Sequence, residues 1–567
     1  MKRIAIDGRG AGRIVLIALL GAGLAGCRSA SSYRAEADRA ATNLVRQARA
    51  ARTGRTGPFS VERPSDTLRR RLMSGQGLPG TFAAATNPPA EPPGGWKLSL
   101  VQALQVGSRN SREYQDAKET VFAAALKLDL EADAFRTSFA GVLSSVFTDD
   151  RSGKTEQRGV VTTAEASAKR KWENGATVTS RLAVDVAKLL TLDRKSAFGL
   201  LADATVTIPL LRGAGRDIVR EPMTQAEHDL CYAIYALERF RSAFAVKVAT
   251  AYLGVLQQRQ QILNLEENWR SLTVAAKRAQ AMSAAGRVSQ IEVDQGRQDE
   301  LRALDRLNTA RHEAEQQLDL LKIELGLPTD ARIEVDDGDL TRTPEPAAAS
   351  AAETLREEGA LRAALTNRFD LAAARGAVED ARRAVKVAED ALRADVKLTL
   401  SGSAGDLRTL GTADKGDARL SPSHGTYGAK LESDLPWHRT LERNAYRASL
   451  LAVERAVRDL EQKEDEVKLD VRNACRRLGE TREAYTIQKM SLDVAQRRVD
   501  STDMLQQAGR AVMRDMLEAR ESLLNAQNAV PSARVQYRLA ELALERDTET
   551  LAINEEGLWD ERNTVQP

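Results

Sequence analysis

The tripeptide Ala-Gly-Arg at residues 285–287 recurs at residues 508–510, and each copy follows a long run of helical periodicity. Before the first copy, from Ile234 to Leu272, apolar residues are spaced by three, four or seven positions. This heptad spacing predicts a helix from about residue 217 to 284, which at 1.5 Å per residue is ~100 Å long. Glycine accepts the left-handed backbone that commonly ends a helix. Each Ala-Gly-Arg motif therefore predicts the turn of a long helical hairpin.

Matching segments also precede the two hairpins. Residues 103–118 line up with residues 360–375 at an offset of 257, whereas Pro209 and Pro436 are 227 positions apart. The chain therefore contains two copies of one unit. Because the offset falls between these landmarks, the first copy carries about 30 additional residues between its first helix and its proline.

Each copy has the same predicted order of a helix, an extended segment and a helical hairpin. The first helices are predicted at residues 98–136 and 353–394. Apolar and polar residues then alternate with a period of two at 204–208 and 396–401, which predicts strands. Asn174-Gly175 lies in the insertion between alternating segments and predicts a two-residue hairpin turn.

The N-terminus has the features of a bacterial lipoprotein signal. Basic residues precede the apolar run Ile14–Leu20, and Leu24–Cys27 places small residues before a cysteine. A buried helix or a membrane span is the alternative, but the run is shorter than the ~20 residues that a span needs. We predict cleavage before Cys27 and lipidation of that residue. Arg28 is not the aspartate that commonly retains lipoproteins at the inner membrane, so we expect the outer membrane.

These patterns predict a mainly α-helical protein with a small β part. The predicted organisation is a signal peptide (1–26), a lipid-anchored irregular tail rich in Pro and Gly (27–95), repeat 1 (96–328), a linker (329–352), repeat 2 (353–552) and a C-terminal tail (553–567).

The composition excludes several classes of function. Charged residues make up 29% of the 567 residues and aromatic residues 4%, which is typical of long helices with narrow apolar seams. A net charge of +3 is not the large positive excess that is typical of proteins that bind nucleic acid. Cys231 and Cys475 fit either a disulfide or two small packing residues, and the four histidines lack ligand spacing. We expect no metal, no cofactor and no enzymatic activity, because no catalytic constellation is present.

A lipoprotein signal followed by two copies of helix, strands and long helical hairpin resembles the outer-membrane factor family, the TolC-like outer-membrane efflux proteins. The resemblance covers residues 98–550 and is most specific at the tips 285–293 and 508–516 and at 209–216. It implies a homotrimer that shares a twelve-stranded β-barrel in the outer membrane, continued by an α-barrel through the periplasm. A few strands per chain cannot close a barrel alone, because open edges leave backbone groups unsatisfied in lipid. The insertion fits either an extracellular hairpin or additional barrel strands.

The resemblance also implies functional residues at the hairpin tips. Those expected to dock a periplasmic adaptor are Gly286, Arg287, Val288, Ser289, Gly509, Arg510 and Ala511. A channel constriction is expected at Asp515 and Glu518. The alternatives are that the glycines only form tight turns and that the two acids are solvated. Ala511 stands where family members often carry a basic residue. The salt bridge that would hold the channel closed therefore has no assigned basic partner.

The resemblance predicts an outer-membrane channel subunit that passes substrates from an adaptor and an inner-membrane transporter to the exterior. A periplasmic adaptor lipoprotein and a structural coiled-coil lipoprotein are the alternatives. The chain has two hairpins where adaptors have one, and a structural strut has no need of strands beside each helix pair. Aromatic residues near the strands fit an aromatic girdle at the lipid interface or local packing: Trp172, Phe198, Tyr427 and Trp437.

Overall fold

The structure is a computed structural model. It describes residues 29–55, 57, 59–61, 68–75, 96–151, 157–190, 196–343, 345–346, 353–413, 415–435, 437–508, 510–554 and 557–558. The predicted signal peptide, Cys27 and Gly509 lie outside the described residues, and their predictions stay untested.

Helices dominate the described part of the chain, which confirms the predicted mainly α class. They are α1 (Ala30–Thr53), α2 (Leu68–Gly75), α3 (Leu100–Asn110), α4 (Arg112–Asp133), α5 (Arg216–Val219), α6 (Glu221–Ala284), α7 (Gln290–Glu324), α8 (Gly338–Arg342), α9 (Glu353–Asn367), α10 (Phe369–Ala391), α11 (Thr440–Gln507) and α12 (Met513–Asp547). The strands are β1 (Trp96–Leu98), β2 (Ser138–Asp150), β3 (Gln157–Lys171), β4 (Thr177–Leu189), β5 (Ser196–Pro209), β6 (Ile333–Val335), β7 (Asp395–Asp406) and β8 (Thr426–Asp434).

The chain divides into two compact units that do not follow the two sequence repeats. Unit 1 is formed by Met1–Phe59, Phe122–Tyr232 and Arg375–Arg458. Unit 2 is formed by Ser60–Val121, Ala233–Ala374 and Asp459–Pro567. Each unit therefore contains segments from both repeats, so the repeats are not separate domains.

The first helix of each repeat is broken at equivalent positions. The predicted single helices at 98–136 and 353–394 are wrong in this respect, because α3 ends before Ser111 and α9 ends before Arg368, 257 residues later. Ser111 adopts an extended backbone (φ −60°, ψ 137°). The side chain of Arg368 is almost fully buried and bonds Asp370, two residues further on, at 2.7 Å. The two repeats therefore share the position at which their first helix is interrupted.

Unit 1 contains one antiparallel sheet built from both repeats. Its strand order is β2-β3-β4-β5-β7-β8, with four strands from repeat 1 and two from repeat 2. Leu201 of β5 pairs with Gly405 of β7, which joins the repeats. The resemblance implied four strands per chain, and the sheet has six. The insertion in repeat 1 accounts for the difference, because its residues form two additional strands, β3 and β4.

The turn between β3 and β4 differs in length from its prediction. The Trp172 N–H donates to the Ala176 carbonyl at 2.8 Å, and the Gly175 N–H donates to the Trp172 carbonyl at 2.9 Å. Three residues therefore form the loop, not two. Gly175 has a φ of 91°, which takes the chain back into the ladder as a glycine bulge does in three-residue hairpins.

Unit 2 has an apolar core around Tyr252, whose ring is fully buried. The Tyr252 hydroxyl lies 2.9 Å from the Leu98 carbonyl oxygen and 2.8 Å from the Asp339 carboxylate. Strand β1 pairs in parallel with β6 next to this contact. The segment predicted as a linker therefore contains β6 and α8, because Ile333 and Val335 bury their side chains in the core.

The N-terminal tail also has more structure than predicted. Residues 30–53 form α1, which Ser29 caps by accepting a hydrogen bond from the Ser32 N–H. Ala41 and Val45, four residues apart, are fully buried, so this helix has a packed face. Irregular structure was the wrong expectation for this part of the tail. Among the described helices, none is long and apolar enough to cross a bilayer.

Candidate pore wall and hairpin tips

The register of the unit 1 sheet separates its side chains into two chemically distinct faces. Directly paired residues of antiparallel strands share a face, and neighbours along a strand alternate. The apolar face carries Phe139, Leu143, Ala164, Ala166, Leu182, Val184, Ala202, Ala204, Leu398, Leu400, Ala429 and Leu431. The polar face carries every charged residue at the middle of the described strands and also a few apolar residues, Val142, Val146, Val161 and Leu201. Its polar residues include Ser144, Thr163, Glu165, Ser167, Thr179, Arg181, Asp203, Thr205, Ser401, Ser403, Lys430 and Glu432.

Several large side chains of the apolar face are exposed in this chain, although Ala164 and Val184 are buried. Phe139 is 80% exposed and Leu431 66% exposed. Charged residues of this face, within the described strands, stand only at or next to strand ends: Asp149, Arg158, Arg170, Lys188 and Asp406. An apolar band with charged borders is the pattern of a lipid-facing strand surface.

A row of ion pairs crosses three strands on the polar face. The Arg181 guanidinium lies 2.7 Å from the Asp203 carboxylate and 3.5 Å from the Glu165 carboxylate. At the same height, the apolar face presents Leu182 and Ala202. One face is thus built for water and charge and the other for an apolar environment. Sequence analysis missed this row, because the two-residue alternation around Arg181 indicates the face of the strand and not the neighbouring strands.

The loop between β7 and β8 packs against the polar face. The Arg408 N–H donates to the buried Asp185 carboxylate at 2.6 Å, and the Phe198 N–H donates to the Asp417 carboxylate at 3.0 Å. A Cβ on Gly199 would lie 2.6 Å from the Arg408 nitrogen, so this approach requires glycine. The loop therefore occupies part of the space in front of the polar face at this end of the sheet.

The two edges of the sheet are open. In the strands that the structure describes, β2 pairs only with β3, and β8 pairs only with β7. Open edges present unpaired backbone donors and acceptors and are templates for pairing with another chain.

The aromatic residues predicted for a girdle divide between two locations. Tyr427 and Phe198 lie on strands, on the apolar face. Trp172 and Trp437 lie just outside strands, where they are 42% and 96% exposed. Their exposure fits an interface with lipid, and the girdle stays a prediction.

The first hairpin tip, in unit 2, ends α6 with a Schellman motif. The Arg287 N–H donates to the Met282 carbonyl at 2.9 Å, and the Gly286 N–H donates to the Ser283 carbonyl at 2.8 Å. Gly286 has a φ of 73°, which disfavours any residue with a Cβ. Ser289 then caps α7 by accepting a hydrogen bond from the Glu292 N–H. Gly286, Arg287 and Ser289 are exposed, and Val288 is half-buried.

The described residues of the second tip, also in unit 2, make one equivalent backbone hydrogen bond 223 residues later. The Arg510 N–H donates to the Leu505 carbonyl at 2.9 Å, as Arg287 does to Met282. Arg510 is exposed and Ala511 half-buried. Met513 and Met516 are buried against α6, which fixes the start of α12.

The two acids of the predicted constriction have partners within the chain. Asp515 accepts a hydrogen bond from the Val512 N–H at 3.3 Å, so its carboxylate caps α12. Glu518 lies 3.2 Å from Arg498 on α11. Glu518 and Arg514 also line a polar groove of about 500 Å³. Both acids remain exposed to solvent.

Sequence analysis also missed a partly buried charge cluster in unit 2. Asp370 receives bonds from Arg368, lies 3.5 Å from Arg239 and lies 3.4 Å from Lys463. Burial alone would raise the pKa of Asp370, but the Arg368 hydrogen bond and the Arg239 charge outweigh burial and lower this pKa to about 2. The residues come from three distant segments, so no local motif could reveal the cluster.

A second buried pair links α6 to the C-terminal tail. Glu238 and Arg241 are 2% and 3% exposed and lie 3.0 Å apart. Arg241 also donates to the Ile553 and Asn554 carbonyls. The start of the predicted tail is therefore part of the unit 2 core.

This chain shares its fold, including long helical hairpins and an antiparallel sheet, with solved outer-membrane channels. The family model for outer membrane efflux proteins matches residues 360–547. The second repeat of this chain is therefore similar to the outer membrane efflux protein family, in agreement with the resemblance found in the sequence. The family consists of channel proteins, not enzymes, and implies an outer-membrane location.

Solved structures of outer-membrane channels share this fold. VceC from Vibrio cholerae aligns with a TM-score of 0.58 at 14% identity, covering 79% of this chain and 95% of that chain. CmeC from Campylobacter jejuni aligns with a TM-score of 0.57 at 15% identity, covering 79% and 85%. CusC aligns with a TM-score of 0.57 at 15% identity, covering 79% and 91%. No curated protein matches the chain in sequence.

Proposed function

We propose that three copies of this chain form an outer-membrane exit duct that receives substrates from an inner-membrane transporter through a periplasmic adaptor. The observation that carries the proposal is the six-stranded sheet with one apolar face, one polar face and two open edges. A sheet in lipid must close, because each unsatisfied backbone group costs several kcal/mol there. Strand β2 of one chain pairing with β8 of the next closes the sheet by cyclic symmetry.

The direction of the two faces follows from their chemistry. The apolar face contacts lipid, and the polar face, with its Glu165–Arg181–Asp203 row, lines a water-filled lumen. Acyl chains on Cys27 anchor each subunit to the outer membrane. A structural strut would gain nothing from such a sheet, and this observation favours the channel over the strut.

The exposed hairpin tips are the proposed docking surface for the adaptor. Both tips present an exposed arginine, Arg287 and Arg510, and the two arginines make equivalent backbone hydrogen bonds to the preceding helix. Two equivalent tips per chain offer the repeated surface that a ring of adaptor hairpins requires. Ser289 contributes an exposed cap beside the first tip.

Asp515 and Glu518 form the proposed constriction at this end of the channel. Three copies of each around a narrow axis attract cations and repel one another, which favours opening unless basic groups compensate. Arg498 and Arg514 are the nearest candidates for that compensation, because one pairs with Glu518 and the other lines its groove. They take the place of the basic residue that Ala511 does not provide.

The proposal is tested by reconstituting the purified protein into planar bilayers. A heat-resistant trimer that conducts ions supports an exit duct, and a monomer without conductance overturns it. The double variant Asp515→Asn, Glu518→Gln should raise conductance and weaken block by multivalent cations. The Asn side chain retains an oxygen to cap α12. Asp493→Asn, which changes an exposed acid paired with Arg497 on α11, is the matched control. Unchanged block in the double variant shows that these acids do not line the pore.

Adaptor docking is tested by co-purification with the adaptor and transporter of the source cell. Arg287→Glu combined with Arg510→Glu should abolish co-purification and leave conductance unchanged. Retained co-purification overturns the assignment of the tips.

A further inference from the structure

We propose that the shared barrel has eighteen strands, because the insertion of repeat 1 adds two wall strands per chain to the outer-membrane segment. The inference rests on the proposed trimeric duct and concerns the width and charge of its lumen. The resemblance alone implied twelve strands.

The pairing of the inserted strands is the first argument. Each of the ladders β2–β3 and β3–β4 pairs 13 residues, from Ser138↔Lys169 to Asp150↔Gln157 and from Gly159↔Leu189 to Lys171↔Thr177. An extracellular hairpin outside the wall would leave β2 paired with β5. In this structure β3 and β4 lie between those two strands. The inserted strands are therefore continuous parts of the sheet.

The position of their turn is the second argument. A Cβ on Gly175 would lie 2.8 Å from both the Gly213 carbonyl oxygen and the Pro209 ring, which end β5 and lead into the first long hairpin. The β3–β4 turn therefore lies at the helical end of the sheet. Strands β3 and β4 have 15 and 13 residues, more than the 9–11 residues that cross a bilayer. Each inserted strand is long enough to traverse the membrane.

The third argument is the chemistry of the inserted strands. Ala166, Leu182 and Val184 continue the apolar face. Glu165 and Arg181, on the same two strands, continue the polar face and complete the ion-pair row with Asp203. An arginine facing lipid at mid-height costs about 2–4 kcal/mol, so the row indicates that β3 and β4 border water on that face. Strands outside the wall would need no such alternation.

A wider and charged lumen follows. With strands ~4.8 Å apart and tilted by ~40°, eighteen strands give a barrel ~36 Å across between backbones, against ~24 Å for twelve. Each row has two carboxylates and one guanidinium, so three chains leave an excess of negative charge at one height of the wall. Such a lumen accommodates larger hydrophilic cargo than a twelve-stranded barrel and favours cations over anions.

Electron cryomicroscopy of the intact protein in lipid nanodiscs tests the strand number. Eighteen wall strands in a closed ring of three chains support the inference. A closed ring of twelve strands, with residues 157–189 outside the wall, overturns it and leaves the exit duct intact. The absence of any closed ring overturns the proposed function as well.

Ion selectivity tests the charged row independently. In a KCl gradient, the double variant Glu165→Gln, Asp203→Asn leaves Arg181 as the only charge of the row, so the channel should change from cation to anion preference. Asp406→Asn, at a strand end on the other face, is the matched control and should keep the original preference. Heat resistance of the oligomer verifies that each variant folds. Unchanged selectivity in a folded, conducting double variant contradicts a lumenal row.

Discussion

Two adjacent residues at the centre of β7 provide the sharpest test of the assigned faces. Leu400 lies on the apolar face, paired with Val206 and Ala429, and Ser401 lies on the polar face, paired with Thr205. In Leu400→Arg, the guanidinium points into the bilayer centre, where this face offers no carboxylate. The expected destabilisation is about 2–4 kcal/mol per chain. In Ser401→Arg, the same side chain enters water, and the expected change is below about 0.5 kcal/mol.

The measurement is a urea titration of folding into lipid vesicles, with the folded fraction followed as the heat-resistant band in electrophoresis. A penalty of 2–4 kcal/mol lowers the folding equilibrium constant of Leu400→Arg roughly 30- to 900-fold. Ser401→Arg should fold as the parent protein does. Equal penalties for the two variants, or a larger penalty for Ser401→Arg, would show that the faces are assigned wrongly.

Three further predictions concern unit 2. Arg241→Met removes the guanidinium that lies 3.0 Å from the buried Glu238 carboxylate and should destabilise the fold by about 3–5 kcal/mol. Arg362→Met removes an exposed pair and should change stability by less than about 1 kcal/mol in the same thermal unfolding assay. The lowered pKa of Asp370 stabilises the fold above about pH 4, and this stabilisation is lost as the pH falls towards 2, so Asp370→Asn should flatten the acid limb of the stability profile by about 2 kcal/mol. Gly286→Ala should destabilise the first tip by about 1 kcal/mol because φ is 73° there, and a gain in thermal stability would contradict the observed turn.

Most of the elements of the fold were predictable from local pattern. The heptad spacing predicted a helix over 217–284, and α6 occupies Glu221–Ala284. The alternation at 204–208 and 396–401 predicted strands, which the structure confirms within β5 and β7. These predictions succeeded because helical and extended periodicity depend only on neighbouring side chains and the face that they must bury.

Two segments have more structure than their local pattern predicted. The tail at 27–95 was expected to be irregular, yet Ala41 and Val45 pack in α1. The predicted linker at 329–352 contains β6. This strand forms by pairing with β1, which lies more than 200 residues earlier in the chain. For β6, pairing with a distant strand stabilises a segment of three residues, and such a contact leaves no local signal.

The candidate site shows the same division. The tips at Gly286 and Arg510 were located from sequence because a turn between long helices needs a glycine and leaves a visible motif. The Glu165–Arg181–Asp203 row was not located, since it forms only when three strands pair in one register. Asp370 and its cations also come together only through packing.

The sequence by itself determined the two repeats, the helical hairpins, the strands and the family resemblance. Only the tertiary structure decided where the insertion goes. Residues 157–189 carry strand periodicity that suits an external hairpin and a wall equally well, because periodicity specifies a face and not a neighbour. The choice depends on backbone pairing with β2 and β5, whose hydrogen bonds form only when the register brings distant segments together.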